Sequence, residues 1–317
     1  MRFDCSKIRA LGWRNADLLW KRCAMPCKPC EERSKVHKRS KREHLPQMMS
    51  IEPDNGKEFV AGNDDWERHW QLFAESATLN PAQAMRHQLV LDLWGECAAN
   101  TSSNFLDFGS GQGDFLEKFV RRYPNAKLLG LELSARGVAI SRKKVPAATF
   151  IVADLFSPPQ EMDSYRGWAG GAVCSEVLEH VDDPTAFLRA ASQYLSANAI
   201  ILVTVPGGRM SAFDRHIGHR RHFTRESLHE ILVRGGYRVE KIYRAGFPFF
   251  NLYRLAVIAR GDKLARDAEA RPHGVIGGLA GIAARFFGWL FKMNLRDSPF
   301  GWQIVAVAFT PQARPKA

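Results

Sequence analysis

The sequence predicts an α/β fold: an open, mainly parallel sheet with helices on both faces. Three observations carry this. An apolar run, Phe105-Leu106-Asp107-Phe108, enters three glycines spaced two apart (Gly109, Gly111, Gly113), and a helical pattern of Phe115, Leu116, Phe119 and Val120 follows. Two more apolar runs end in acids, Leu128–Leu131 before Glu132 and Thr149–Ala153 before Asp154. The run Ala199–Pro206 is β-rich and apolar without alternation, as a strand buried on both faces should be.

Ahead of these elements, charge divides the chain of 317 residues. Residues 1–47 hold 13 of the 45 Lys/Arg and 5 of the 33 Asp/Glu, so most of the net +12 lies there. The remainder is mildly basic, which is poor support for a nucleic-acid surface on the main domain. The charge run Glu31–Arg42 has no packing pattern. Residues 1–47 are therefore expected to be a disordered basic tail, or sequence upstream of a start at Met48 or Met49. Residues 48–100 are expected to supply N-terminal helices. Trp66, Trp70, Leu72 and Phe73 mark the first, and Asn80-Pro81 caps and starts the second, through Met85, Leu89, Val90, Leu93 and Trp94. Residues 101–317 form the core.

The glycine loop is a backbone cradle, because glycine tolerates angles and close approaches that a side chain forbids. A dinucleotide fingerprint would want a small residue at position 114, where this chain has Asp114. Glu132 lies nineteen residues past Gly113, the distance at which a strand-end acid can accept from both ribose hydroxyls of a nucleoside. A solvated strand-end Glu is the alternative, as a turn Asp is for Asp154.

The fourth strand, Ala172–Ser175, runs into Glu176-Val177-Leu178-Glu179-His180-Val181. Glu176, Glu179 and His180 have i, i+3, i+4 spacing and would share a face if helical. After the fifth strand comes a histidine-rich loop with His216, His219 and His222. Thr224 is a plausible N-cap for a helix carrying Leu228, Ile231 and Leu232, ended by Gly235-Gly236. Tyr237–Tyr243 is the sixth strand and Trp302–Phe309 the seventh. Between them, at about 247–298, lies a helical insertion with the aromatic segment Phe247–Tyr253 and a second segment, Val275–Phe291. In the second, Val275, Ile276, Leu279, Ile282, Ala283, Phe286, Phe287, Leu290 and Phe291 share a face. That segment is a lid over a hydrophobic pocket, a dimer contact or an interfacial membrane helix; lid or packing is preferred, because its polar face lacks Lys/Arg density.

These motifs, in this order, resemble class I S-adenosylmethionine (SAM) methyltransferases, from about Phe105 to Phe309. Ser175–Val181 is most similar to the ubiquinone-biosynthesis O-methyltransferases and their bacterial relatives. The resemblance implies a Rossmann-like sheet of seven strands with the last antiparallel. It implies SAM held by Asp107, Gly109, Ser110, Gly111, Gly113, Glu132, Asp154, Leu155 and Glu176, with Asp154 on the adenine amino group and Leu155 offering its N–H. It also implies methyl transfer, most simply to an oxygen of a small or hydrophobic, lipid-like metabolite, with Glu179, His180 and His219 on the acceptor side.

A hydroxyl acceptor needs a base or a Lewis acid. The Glu176-x-x-Glu179-His180 element with His219 resembles the metal-binding half of small-RNA 2′-O-methyltransferases. No resident metal is assigned; Glu176, Glu179, His180 and His219 are the candidate ligands for a divalent ion. The rival readings are a metal-assisted RNA 2′-O-methyltransferase and a non-catalytic SAM-fold binding module. Cys23-x3-Cys27-x2-Cys30 resembles the iron–sulfur loop of radical-SAM enzymes and also suits zinc, but no βα-repeat surrounds it. Two widely separated body cysteines, Cys97 and Cys174, fit a reducing compartment, and no apolar run reaches transmembrane length. A cytoplasmic protein is expected, with peripheral membrane contact left open and no nucleic-acid partner.

Overall fold

Why this sheet opens a cleft where it does follows from its strand order, β3-β2-β1-β4-β5-β7-β6. In the computed structural model, which describes residues 65–78, 80–97, 103–261 and 278–312, β1 (Asn104–Phe108) pairs in parallel with β2 (Lys127–Glu132) and with β4 (Ala169–Ser175). β3 (Ala148–Val152) extends the sheet beyond β2, and β5 (Leu195–Pro206) beyond β4. Chain order thus reverses between β1 and β4, and a crevice forms at the carboxyl ends of those strands. β7 (Gln303–Phe309) runs antiparallel between β5 and β6 (Arg238–Ala245). The expected Rossmann-like sheet of seven strands with an antiparallel last strand is present. The tail at 1–47, its four cysteines and residues 275–277 lie outside the described residues.

Strand side chains alternate across the sheet, and both faces are apolar, so each covers its own core. Leu106, Phe108, Leu129, Leu131 and Ile151 enter one core. Phe105, Leu128, Phe150, Val173, Ile200 and Leu202 enter the other. There Phe105 stacks on Phe119 at 4.0 Å between ring centroids, and Trp94 meets Phe105 edge-on at 4.9 Å. Burying an aromatic of this kind contributes roughly 1.5–3 kcal/mol.

The helices follow their sequence signals. α1 spans Trp66–Thr78 and α2 Pro81–Cys97; Asn80 Oδ1 accepts from the Ala82 amide, as an N-cap should. α3 (Asp114–Arg122), α4 (Ala135–Lys144) and α5 (Pro184–Ser192) follow β1, β2 and β4. After β5 come a short α6 (Ala212–His216) and α7 (Arg225–Arg234), the latter closed by a capping box between Thr224 and Ser227. The insertion holds α8 (Phe249–Arg260) and α9 (Gly278–Leu290).

Two expectations need correction. Residues 176–180 form a turn rather than a helix, with Glu176 at φ 56°, so the i, i+3, i+4 face does not exist. On α9, Phe287 is half-buried and Phe291, just beyond the helix, is buried against Phe250, but Phe286 and Trp289 are 55% and 57% exposed. The apolar stripe is therefore split between packing and solvent. No helix among the described residues is long and apolar enough to cross a membrane.

Gly171, in the middle of β4, faces the Trp94 ring so closely that a Cβ would overlap it. Gly171→Ala should therefore destabilise the protein by about 1–3 kcal/mol, the usual cost of overpacking a filled core. Urea unfolding checks this; an unchanged midpoint would mean that Trp94 has room to move.

Candidate active site

At the carboxyl ends of β1, β2 and β4 lies a cavity of about 900 Å³, with side chains of α1, α2 and α8 in its wall. Its first half is built around the glycine loop. Gly109 and Gly111 have φ of 74° and 55°, which L side chains rarely adopt. A Cβ on Gly109 would run into Val177, and one on Gly111 would come within 2.7 Å of the Trp70 ring. The loop is pinned by Glu132. Its carboxylate accepts from the Gly111 amide (2.9 Å), the Ser134 amide (3.0 Å) and Trp70 Nε1 (3.4 Å). Burial pushes the Glu132 pKa up against these donors. Asp107, behind the loop, is pushed up to about 8 by burial and by the charge of Glu132. Ser110 Oγ is buried and has no hydrogen-bond partner.

Asp114, the residue that breaks the dinucleotide pattern, ties this half to its roof. It pairs with Lys144 at 2.6 Å and accepts from Gln112, Thr78 and Gln83. Gln112 also donates to the Ala74 carbonyl of α1. At the β3 end, Asp154 caps its own turn by accepting from the Phe156 amide, so it takes the turn role while also lining the cavity. Leu133 and Phe156, both more than half exposed, flank it as apolar surfaces on which a flat base can stack.

The second half holds the acids and histidines. Glu176 turns toward β5 and β7: its Oε1 accepts from Thr204 (3.1 Å) and Gln303 (2.9 Å), and Arg86 stands 3.7 Å from Oε2. It lines the cavity but is not grouped with Glu179. Glu179, His180 and His219 do converge, with one ligand atom of each within 4.8 Å of the others. Glu179 is fully buried and neither oxygen has a hydrogen-bond partner; His180 Nδ1 is likewise orphaned. Burial and the Glu176 charge hold the Glu179 carboxyl well above its usual range. Burial lowers His180 to about 3 and His219 to about 2, so both imidazoles are neutral.

Partners fix which nitrogen of His219 is free. The Gly208 carbonyl can only accept, so His222 Nδ1, at 3.2 Å, must carry the proton. Burial lowers the His222 pKa while Asp214, whose Oδ2 is 3.6 Å from Nε2, raises it; in the neutral ring Nε2 accepts. His219 Nδ1, 3.3 Å away, is then the donor. The lone pair of His219 is left on Nε2, 4.0 Å from Glu179 Oε1. His216, the third histidine of the loop, is on α6 and not in the cavity wall. Asp214 is nearly buried, completes a capping box with Ser211 and is held by Arg254 in a two-point contact of 3.0 and 2.7 Å.

A family profile described as a methyltransferase domain matches residues 81–242, just over half the chain. The chain belongs to this family, the class I SAM-dependent methyltransferases. It is 26% identical over 184 residues to a trans-aconitate 2-methyltransferase of Afipia carboxidovorans, covering 56% of this chain and 66% of that protein. It is 26% identical over 145 residues to a ubiquinone biosynthesis O-methyltransferase of Sodalis glossinidius, covering 45% and 55%. The chain thus spans just under two thirds and just over half of these relatives. Among solved structures, phosphoethanolamine N-methyltransferase 2 of Haemonchus contortus with SAM aligns at a TM-score of 0.50 and 14% identity, over 79% of this chain and 61% of that one. The 4+2 cyclase SpnF aligns at 0.50 and 17%, over 78% and 96%. These two show the fold alone.

For a methyltransferase domain the first half of the cavity fits SAM: an orphaned Ser110 hydroxyl, a cradle that Cβ atoms would fill, and two acids, Asp107 and Glu132, in its wall. Sequence reasoning did not single out Leu133, Phe156, Arg86, Asp214 or Arg254 as cavity residues. Only Leu133 had a readable signal, a bulky apolar residue directly after the strand-end acid.

Imidazole ¹⁵N spectra should show His219 protonated at Nδ1 and bare at Nε2, and His222→Phe should abolish that single tautomer. A His219 already protonated at Nε2 in the parent protein would contradict the relay.

Proposed function

We propose that the chain transfers a methyl group from SAM to an oxygen of a small or hydrophobic metabolite. The observation that carries this is one continuous cavity, which joins the glycine cradle and Glu132 to His180 and His219, with Glu179 beside them. The names of the two relatives support a small-molecule acceptor. In this reading Glu132 takes the ribose, Asp154 and Leu155 the adenine, and Asp107 faces the charged end of the cofactor. Bound SAM supplies a methyl group on a sulfonium whose leaving group is neutral, so no departing anion needs stabilising. The chain's work is alignment, exclusion of water, and removal of the acceptor's proton. α1, with Trp66 and Trp70 in the wall, excludes water. The free Nε2 of His219 is the group that would receive the proton; Glu179, held neutral by burial, lies beside it.

A second reading is favoured by the orphaned atoms. Unsatisfied buried oxygens and a bare imidazole nitrogen in one nest suit a divalent cation held by Glu179, His180 and His219, with Glu176 left out because Thr204 and Gln303 hold it. Such an ion would lower the pKa of a hydroxyl acceptor.

Calorimetry with SAM and with S-adenosylhomocysteine should show saturable binding. Replacing Asp107 and Glu132 together by Ala should weaken it by at least about tenfold, as expected for lost charge-assisted hydrogen bonds. Unchanged affinity in the double variant would sink the cofactor assignment. The pH dependence has a definite sign. Asp107 sits near 8 without ligand, and a cationic ligand favours its ionised form. Binding therefore releases a proton, and SAM affinity falls as pH drops below about 8. Asp107→Asn should flatten that slope.

For the metal, titration with Mn²⁺ or Co²⁺ should give stoichiometric binding that His219→Ala removes. If neither ion binds the parent protein, the base reading stands. Untargeted metabolite comparison between cells with and without the gene should find a product and precursor that differ by one methyl group.

A further inference from the structure

The insertion between β6 and β7 presents an apolar surface that the cavity does not use. α9 and the turn after it have two sides. Phe287 and Phe291 face the protein, where they meet Tyr253 of α8 at 5.5 and 5.7 Å between ring centroids. On the other side Phe286, Trp289 and Met293 follow at helical spacing and are exposed, and the rings of Phe286 and Trp289 stack at 6.2 Å. α8 repeats the division. Phe250, Tyr253 and Val257 line the cavity, whereas Leu252 and Leu255, one turn apart, are exposed. Single exposed apolar residues are ordinary, but five large ones on two helices in contact mark an interaction surface.

Charge decides which partner this surface suits. Arg285 lies one turn before Trp289 and Lys292 about one turn after it; both are exposed, and neither makes an ion pair with a described residue. Residues 249–261 and 278–296 hold Arg254, Arg260, Arg285, Lys292 and Arg296 and no Asp or Glu. Arg254 and Arg296 are answered by Asp214 and Glu96. In the connecting residues 262–277, three acids and three Lys/Arg cancel. The sequence placed no Lys/Arg density opposite the apolar stripe; the structure puts two cations beside its exposed half.

A second copy of this chain fits such a surface poorly. A two-fold contact sets the same patch against itself, so Arg285 and Lys292 would meet their own copies with no acid between them. Exposed Trp and Phe bordered by Arg and Lys match the interface of a bilayer instead, where the rings sit at headgroup level and the cations meet anionic lipid.

We propose that Phe286, Trp289 and Met293, bordered by Arg285 and Lys292, dock the protein on a membrane surface of anionic lipid. Docking there brings α8, and with it one wall of the cavity, to the bilayer. This does not depend on the methyl-transfer reading, since neither cofactor nor acceptor takes part.

The test is co-sedimentation of the full chain with vesicles of phosphatidylcholine alone and of phosphatidylcholine with about 30% phosphatidylglycerol. The parent protein should bind the anionic vesicles at least about tenfold more tightly than the neutral ones. Residues 1–47 are basic and add their own attraction, so the deciding comparison is among proteins that share them. Phe286→Ser with Trp289→Ser should weaken binding to anionic vesicles by at least about tenfold, and Arg285→Gln with Lys292→Gln by about as much. Bromine-labelled phosphatidylcholine in the anionic vesicles should quench the tryptophan fluorescence of the parent more than that of Trp289→Phe. These side chains are exposed, so urea midpoints should stay at the parent value; if the double serine variant unfolds, the charge variant and Trp289→Phe decide in its place. The proposal is overturned if the parent binds no anionic vesicle, which would leave an acidic protein as the occupant, or if neutral vesicles bind as well. It is overturned if a folded double variant binds like the parent, for then the basic segment alone holds the lipid. It is overturned too if sedimentation equilibrium shows a parent dimer that the double serine variant dissociates, for then a second copy covers the patch.

Discussion

One carboxylate holds the cofactor half of this cavity together. Glu132, at the tip of β2, accepts from the amide of Gly111 in the glycine loop, from the amide of Ser134 at the start of α4, and from the indole of Trp70 on α1. Loop, helix and roof therefore share one acceptor. Those donors satisfy it from within the chain, although burial disfavours its charge. The glycine loop is thus shaped by the chain's own hydrogen bonds, the condition under which backbone donors bind with least reorganisation.

Asp114 makes the same connection from the other side. At the first turn of α3 an acid suits the helix dipole. Here it also collects Lys144, Gln112, Thr78 and Gln83, so α1 and α2 are tied to the loop through a buried charge network. The residue that departs from the dinucleotide pattern is thus what positions the roof. Trp66 carries the roof on to the acceptor half, where its ring meets His180 edge-on at 4.8 Å.

The half with the acids and histidines is assembled differently. Its parts come from the turn after β4, the loop after β5, α2 and α8, and backbone bonds lock them, with the Arg220 amide on the Glu179 carbonyl and the His219 amide on the Asp214 carbonyl. A chain of imidazoles runs from the Gly208 carbonyl through His222 to His219. Buried acids and bases kept neutral by desolvation make a site in which a proton or a cation has few competing partners. The insertion contributes through α8, whose Phe250, Tyr253, Arg254 and Val257 reach the cavity, whereas Phe286 and Trp289 of α9 stay exposed.

Local pattern made much of this legible. The seven strands, the caps at Asn80 and Thr224, and the glycine loop with its following acids rest on short-range rules: apolar runs, side chains that cap a helix, and backbone angles open only to glycine. Spacing misled at Glu176–His180, because helical periodicity was applied to a turn whose first residue takes a positive φ. The splitting of Glu176 from Glu179 could not be read, since it depends on Thr204 and Gln303, distant in sequence and brought alongside by the sheet. Arg86, Asp214, Tyr253 and Arg254 carry no motif, and their burial, pairing and shared surroundings exist only once α2, α6 and α8 converge on one cavity. The sequence by itself determined the sheet and the glycine cradle, because those follow from local conformational preference and apolar periodicity. Only the tertiary structure decided the half of the cavity with the acids and histidines, because desolvation and long-range pairing act on each group there.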